Sequence, residues 1–290
     1  MAKTRRNRKS SQNPGHKVAS AGPYQCHPNA KNRPTHGCLP VSILKRASDK
    51  LGLPTGTPIT MRQQLEKKLD VQPNNEYSFV QGLPLNDKEK EYLTKTYLRP
   101  PQPEGWKDDP DMWLDSTNIE AVMKQYEEAY SDFEFMGPFP IDFAAPDPYE
   151  KGSEKHCLIR EMCGLRVLDA QKRGIKKIGI IYNLDPHFKN GSHWVATYID
   201  IAGKKCYYFD SYGYEPPGQI AKFMKWLTTQ DKSIKLGYNA RRFQYKGSEC
   251  GMYSLYFIIR MIAGDNFRAF TRVAPRDSVM LDFRKWIFST

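Results

Sequence analysis

Phe243-Gln-Tyr-Lys-Gly-Ser-Glu-Cys250-Gly-Met-Tyr-Ser-Leu-Tyr-Phe-Ile-Ile-Arg-Met-Ile262 sets one cysteine between a glycine-containing turn and a strongly apolar run. Tyr253, Leu255, Tyr256, Ile258, Ile259 and Ile262 make that run apolar nearly all round, the pattern of a helix buried at the centre of a fold. Cys250 then falls at the helix N-terminus, where the positive end of the macrodipole and unpaired backbone N–H groups favour an anionic sulfur. Those N–H groups can also receive an oxyanion. Gln244, six residues upstream, is an uncharged amide donor able to reach the same pocket across the turn. The competing reading of Cys250 is a packed structural thiol.

A second stretch supplies a base. Gly191-Ser-His193-Trp194-Val-Ala-Thr-Tyr-Ile-Asp200 and Lys205-Cys-Tyr-Tyr-Phe-Asp210-Ser are β-branched and aromatic runs around an Ala202-Gly203 turn, which reads as a hairpin. A turn symmetric about that dipeptide opposes Asp210 to Val195, diagonal to His193 on the same sheet face. The carboxylate would then fix the imidazole tautomer, whereas a one-residue slip would put the two side chains on opposite faces. Cys250, His193, Asp210 and Gln244 together follow the logic of an activated nucleophile: thiolate, proton shuttle, orienting anion, oxyanion donor. Cys206 is mid-strand, with no helix terminus or base beside it, and His187 in its loop is the alternative base.

The order His193-Trp194, Asp210 in Tyr-Phe-Asp-Ser, then Gln244 with Cys250-Gly resembles the SUMO/ubiquitin-like-specific cysteine peptidases and their viral relatives, the adenovirus and African swine fever virus proteinases. Met112-Trp113-Leu-Asp-Ser-Thr-Asn-Ile119 is similar to that family's Trp-Leu-Asn-Asp segment, and the likeness runs from about Pro110 to Thr290. It implies an α+β fold with a papain-like (adenain-like) core, a central mixed sheet flanked by helices, and a cysteine endopeptidase without cofactor or metal. It also implies that Trp113 and Trp194 wall a narrow tunnel over a Gly-Gly backbone, where only residues lacking a Cβ fit. One departure is Asp115-Ser116 in place of Asn-Asp, which removes an acid that in SUMO-processing members holds a basic residue of the partner. The implied substrate is therefore a viral precursor polyprotein cut at Gly-Gly-like or Gly-Xaa-Gly-like sites during virion maturation. Removal of ubiquitin or SUMO, acetyl transfer by a related enzyme, and non-catalytic nucleic-acid binding are the alternatives.

Charge and composition divide the chain. Of the net charge of +12, residues 1–50 carry +10, so basicity belongs to the N-terminal end. Residues 1–34 read as a disordered basic tail, serving solubility, non-specific nucleic-acid binding or nuclear import. Residues 35–100 read as a helical arm, Pro100-Pro-Gln-Pro-Glu-Gly105 as a linker, and residues 105–290 as the catalytic domain. Six irregularly spaced cysteines suggest reduced thiols, and although Cys26, His27, His36 and Cys38 raise a zinc site, their spacing fits no standard pattern. No apolar run reaches the length of a membrane span, so the expectation is an intracellular protein of the host cytoplasm, viral factory and virion, with the nucleus open.

Periodicity places the remaining elements. Helices are expected from Ser42 to Leu51, from a capping box at Thr60, from Asp87 to Leu98, and from a capping box at Thr117 with Ile119, Val122, Met123 and Tyr126 inward. Further helices are read over 156–172 with Leu158, Met162, Leu165 and Leu168 inside, after Pro216-Pro217, and from Asp277 to Phe288 with Arg284 and Lys285 complementing its C-terminal dipole. Strands are expected from Phe133 to Gly137, over Lys177 to Asn183, and from Leu236 to Gln244.

Overall fold

The computed structural model describes residues 22–30, 32–151 and 156–290. Four helices come first: α1 (Val41–Lys50), α2 (Pro58–Lys68), α3 (Glu76–Gly82) and α4 (Asp87–Tyr97). The chain continues through α5 (Ser116–Ala129), β1 (Phe133–Pro140), α6 (Arg160–Gly164), α7 (Val167–Lys172), β2 (Lys177–Asn183), β3 (Trp194–Asp200) and β4 (Lys205–Phe209). It closes with α8 (Gly218–Gln230), β5 (Lys235–Tyr238), α9 (Cys250–Ile262), α10 (Phe267–Arg272) and α11 (Asp277–Ile287).

The strands form one mixed sheet in the order β1-β2-β3-β4-β5, the outer pairs parallel and the inner pairs antiparallel. β2 and β3 are apolar on successive residues because both faces of the sheet are covered. On one face α9 packs against Tyr198 and Phe209, with the Phe209 and Phe257 rings stacked at 4.9 Å. On the other, Ile220, Phe223 and Leu227 of α8 meet Ile180, Val195, Ile199 and Tyr208. Gly179 permits the close approach of α9, since a Cβ there would lie 2.9 Å from an Ile258 side-chain carbon and 3.1 Å from the Phe133 ring. The β3–β4 hairpin keeps the expected register, with Ala196 opposite Phe209 and Asp200 opposite Lys205.

Several boundaries differ from the sequence reading, each for a local reason. Thr57 and Asp115, rather than Thr60 and Thr117, cap α2 and α5, because their side chains accept from the N–H of the residue three positions on. α3 and α10 went unread, being too short for periodicity to show. The helix expected over 156–172 breaks at extended Leu165 into α6 and α7, and Leu168 is exposed rather than inside. The strand expected to reach Gln244 ends at Tyr238, and beyond it the Asn239 side chain, not a backbone ladder, bonds the Asp210 N–H and carbonyl.

The N-terminal region and the cysteines also require correction. Residues 1–21 and Lys31 of the expected disordered tail lie outside the described residues, but the stretch from Gly22 to His27 is packed. The Gln25 N–H donates to Trp286 O (2.9 Å) and the His27 N–H to Tyr97 O (2.8 Å), and Gln25, Cys26 and His27 are buried. The expected linker is likewise pinned, with Ser289 N–H donating to Pro100 O (2.8 Å) and Gln102 N–H to Ser289 O (3.0 Å). Cys26–Cys38 and Cys157–Cys163 are disulfides, so these four are not reduced thiols, and Cys26 and Cys38 are not zinc ligands; Cys206 and Cys250 are free. Irregular spacing says nothing about which segments meet, and here Cys26 bridges to Leu98 while the Cys38 N–H donates to Glu76.

The Cys26–Cys38 crosslink closes 12 residues, which on chain-entropy grounds stabilises by about 3 kcal/mol. The Cys26→Ser/Cys38→Ser variant is expected to melt several degrees below wild type in differential scanning fluorimetry. An unchanged melting temperature would show that the packed N-terminal segment holds without it.

Candidate active site

Cys250 is the first residue of α9, and its N-cap, Glu249, makes no side-chain cap, so the first N–H groups of the helix are left for another acceptor. His193 stands immediately before β3 and Asp210 immediately after β4, so the hairpin register brings them to one end of the sheet. His193 Nε2 lies 2.7 Å from Asp210 Oδ1, in a pair almost wholly buried. Cys250 lies close enough to the imidazole to help raise its pKa. With Nε2 occupied by the carboxylate, Nδ1 is the nitrogen left to face the sulfur. Burial works to lower the His193 pKa, but the hydrogen bond to Asp210, the adjacent Cys250 and their charges prevail and hold it at about 9.

Asp210 is itself fixed from three directions. Its N–H donates to Asn239 Oδ1 (2.9 Å), its carbonyl accepts from Asn239 Nδ2 (2.7 Å), and its Oδ1 accepts from the Tyr212 N–H (2.8 Å). The Tyr212 ring stacks on His193 at 4.7 Å and 20°, covering one face of the imidazole. Neither Asn239 nor Tyr212 was singled out from the sequence; an asparagine directly after a short strand was the available signal for the first.

Gln244 is fully buried. Its Oε1 accepts from Ser211 Oγ (2.7 Å) and its Nε2 donates to Lys246 O (2.6 Å), which fixes the amide orientation and leaves one further N–H on the same nitrogen. Trp194 is 6% exposed and donates from Nε1 to Leu114 O (2.9 Å), whereas Trp113 is 44% exposed. Both line a cleft of ≈ 440 Å³ together with Pro138, Asn183 and Gly191. Gly251 lets this wall reach α9 beside Cys250, because a Cβ there would sit 3.2 Å from both Leu114 and Trp194.

The rival residues separate from this cluster. Burial pushes the Cys206 thiol far above its ordinary range, as fits a packing residue. His187 has its own carboxylate, with Nδ1 2.6 Å from Asp142 Oδ2, and lines the tryptophan cleft. Among the described residues no group of His, Cys, Asp and Glu is arranged to hold a metal ion. Arg284, read from sequence as complementing the helix dipole, is buried and does more: its guanidinium holds Glu249 at 2.8 to 3.1 Å, donates to Met112 O (2.8 Å) and lies over the Trp106 ring.

A thiol at a helix N-terminus, beside an imidazole that a buried carboxylate orients, is the equipment of a cysteine-type peptidase. The chain belongs to the Ulp1 protease family. Residues 169–288 match that family's C-terminal catalytic domain. The "SUMO-1 cysteine protease" of a Kenyan pig isolate of African swine fever virus is 32% identical over 185 residues, which cover 60% of this chain and 67% of that protein. A thiol protease of Acanthamoeba polyphaga mimivirus is 38% identical over 165 residues, 53% of this chain and 49% of the relative, so the chain spans about half of that protein's length. The crystal structure of the African swine fever virus protease superposes with a TM-score of 0.61 at 21% identity, covering 91% of this chain and 95% of that one, which marks a shared fold.

Proposed function

We propose that this chain is a cysteine endopeptidase that cuts viral precursor polyproteins at Gly-Gly-like or Gly-Xaa-Gly-like sites during virion maturation. The 2.7 Å His193–Asp210 hydrogen bond, with Cys250 beside the same imidazole at a helix N-terminus, carries the reading. In it, the Cys250 sulfur attacks the scissile carbonyl carbon, and the oxygen, now negative, is received by the Cys250 N–H and the remaining N–H of Gln244. As the C–N bond breaks, the leaving amine takes the proton from His193. Neutral His193 then draws a proton from water, whose oxygen attacks the thioester, releasing the acid and the sulfur. Trp113 and Trp194 close over the acyl side and favour glycine there by leaving no room for a Cβ.

The viral relatives support placement in the infected cell, at the viral factory and in the virion. Among the described residues no helix is long and apolar enough to cross a membrane. The name carried by the African swine fever virus relative favours a second reading, removal of a ubiquitin-like modifier. Against it, the Asp115 carboxylate is committed to capping α5, accepting from the Asn118 N–H and the Thr117 hydroxyl.

Cleavage profiling on a peptide library tests the proposal. Wild type is expected to cut after small residues, and Cys250→Ala to be slower by about 10⁴-fold or more. An untouched library beside rapid hydrolysis of di-ubiquitin or a SUMO conjugate would transfer the assignment to the second reading. Label transfer from acetyl-CoA without cleavage would end both.

A further inference from the structure

A second groove, of ≈ 700 Å³, opens along the segment that leads into Cys250, lined by Arg241, Arg242, Tyr245, Lys246, Arg272 and Arg276 among others. It has no lining residue in common with the tryptophan cleft. All five cationic side chains are exposed, and among the described residues none of them pairs with a carboxylate. The acid in the lining, Asp277, is buried and turned inward, accepting from the Tyr245 and Lys246 N–H groups and the Tyr253 hydroxyl. Residues 51–290 carry only +2 between them, so five unpaired cations around one groove are a local concentration rather than the protein's general character. The groove also reaches the catalytic base through two ring contacts: the Arg242 guanidinium lies 5.2 Å from the Tyr212 ring, which stacks on His193.

We infer that this groove is a subsite for acidic residues on the leaving-group side of the scissile bond. The inference rests on the peptidase reading, because a polypeptide whose acyl part fills the tryptophan cleft passes the sulfur and meets the second groove with its leaving part. Tyr245 and Val273, both partly exposed, give the side-chain stems of Glu or Asp an apolar floor beneath the guanidinium groups. A polypeptide is favoured over a nucleic acid because the groove continues the path of the substrate from the nucleophile. The positive potential here would raise both the encounter rate and the residence of acidic substrates, most strongly at low ionic strength.

Three quenched fluorescent peptides with one glycine-containing acyl side and a leaving side of Glu, Gln or Lys residues provide the test. Wild type is expected to show a kcat/KM about tenfold higher for the Glu peptide than the Gln peptide at low salt, shrinking toward equality at ~0.5 M salt. In Lys246→Glu/Arg272→Glu the preference for the Glu peptide should collapse toward equality, while Lys88→Glu, on exposed α4, should keep the wild-type ratio. Equal rates on all three peptides in wild type, or an unchanged ratio in the double variant, would overturn the subsite. Binding of the labelled Glu peptide to Cys250→Ala, with and without the double substitution, is followed by anisotropy. Charge-selective binding there without turnover by wild type would mean that the peptidase reading fails while the basic groove survives as a site for acidic peptides. Displacement of the bound peptide by a single-stranded oligonucleotide of higher affinity would reassign the groove to nucleic acid and overturn the proposal.

Discussion

Asp210→Asn is expected to lower kcat/KM for peptide cleavage by about 10²- to 10⁴-fold and to bring the alkaline limb of the pH profile down from about 9 toward neutrality. The carboxylate has two roles in the geometry: it holds Nε2 at 2.7 Å, which dictates that Nδ1 faces the sulfur, and its charge keeps the proton on the ring. In the proposed mechanism the leaving amine takes its proton from His193, so activity is expected to persist while the imidazole is protonated and to be lost as pH rises through about 9. Without the carboxylate, burial still opposes the charged ring and only the Cys250 partnership remains to hold it up, so the proton leaves at lower pH. The same shift has a stability consequence. A histidine raised from 6.5 to about 9 stabilises the fold fully below 6.5, and that contribution is lost as pH climbs to about 9. The wild-type melting advantage over the variant should therefore shrink across that window. A variant profile with the wild-type alkaline limb would show that Asp210 does not govern the proton on His193.

Residues close in sequence, or opposed by one turn, were legible before the structure. The apolar circumference of α9 marked it as the buried helix, and the Ala202-Gly203 turn gave the register that unites His193 and Asp210. Each of these is a short-range pattern with a fixed geometric meaning. What was missed depends on partners far apart in the chain: Asn239 on the Asp210 backbone, Cys26 beside Cys38 by way of α3 and α4, and Gln25 holding the C-terminal Thr290 through its side chain. Arg284 shows the limit best. Its position near the end of an amphipathic helix looks like a dipole partner, and periodicity assigns it a face without saying whether another charge is already buried behind it.

Arg284→Met is expected to destabilise the protein by about 3–5 kcal/mol, a fall in melting temperature of roughly 10 °C, and to abolish cleavage before unfolding is complete. The guanidinium and the Glu249 carboxylate are 4% and 1% exposed, so removing the cation leaves an anion buried without compensation. The location makes the cost functional as well as thermodynamic. Glu249 is the residue that precedes Cys250, the proposed nucleophile, while the same guanidinium donates to Ser248 O and to Met112 O, next to Trp113. One side chain thus ties α11 to the start of α9 and to the wall of the substrate cleft. If burial of the lone charge is the cause, Glu249→Gln/Arg284→Met should recover much of the stability, because the double variant buries no net charge, while activity stays low, since the ties to Met112 and Ser248 are still missing. Lys285→Met, one residue on and exposed, removes an equal charge and is expected to change stability by less than about 0.5 kcal/mol. Equal losses from Lys285→Met and Arg284→Met would mean that net charge, not the buried pair, sets the effect. Recovery of both stability and full activity in the double variant would deny Arg284 any part in placing the cleft wall against the nucleophile.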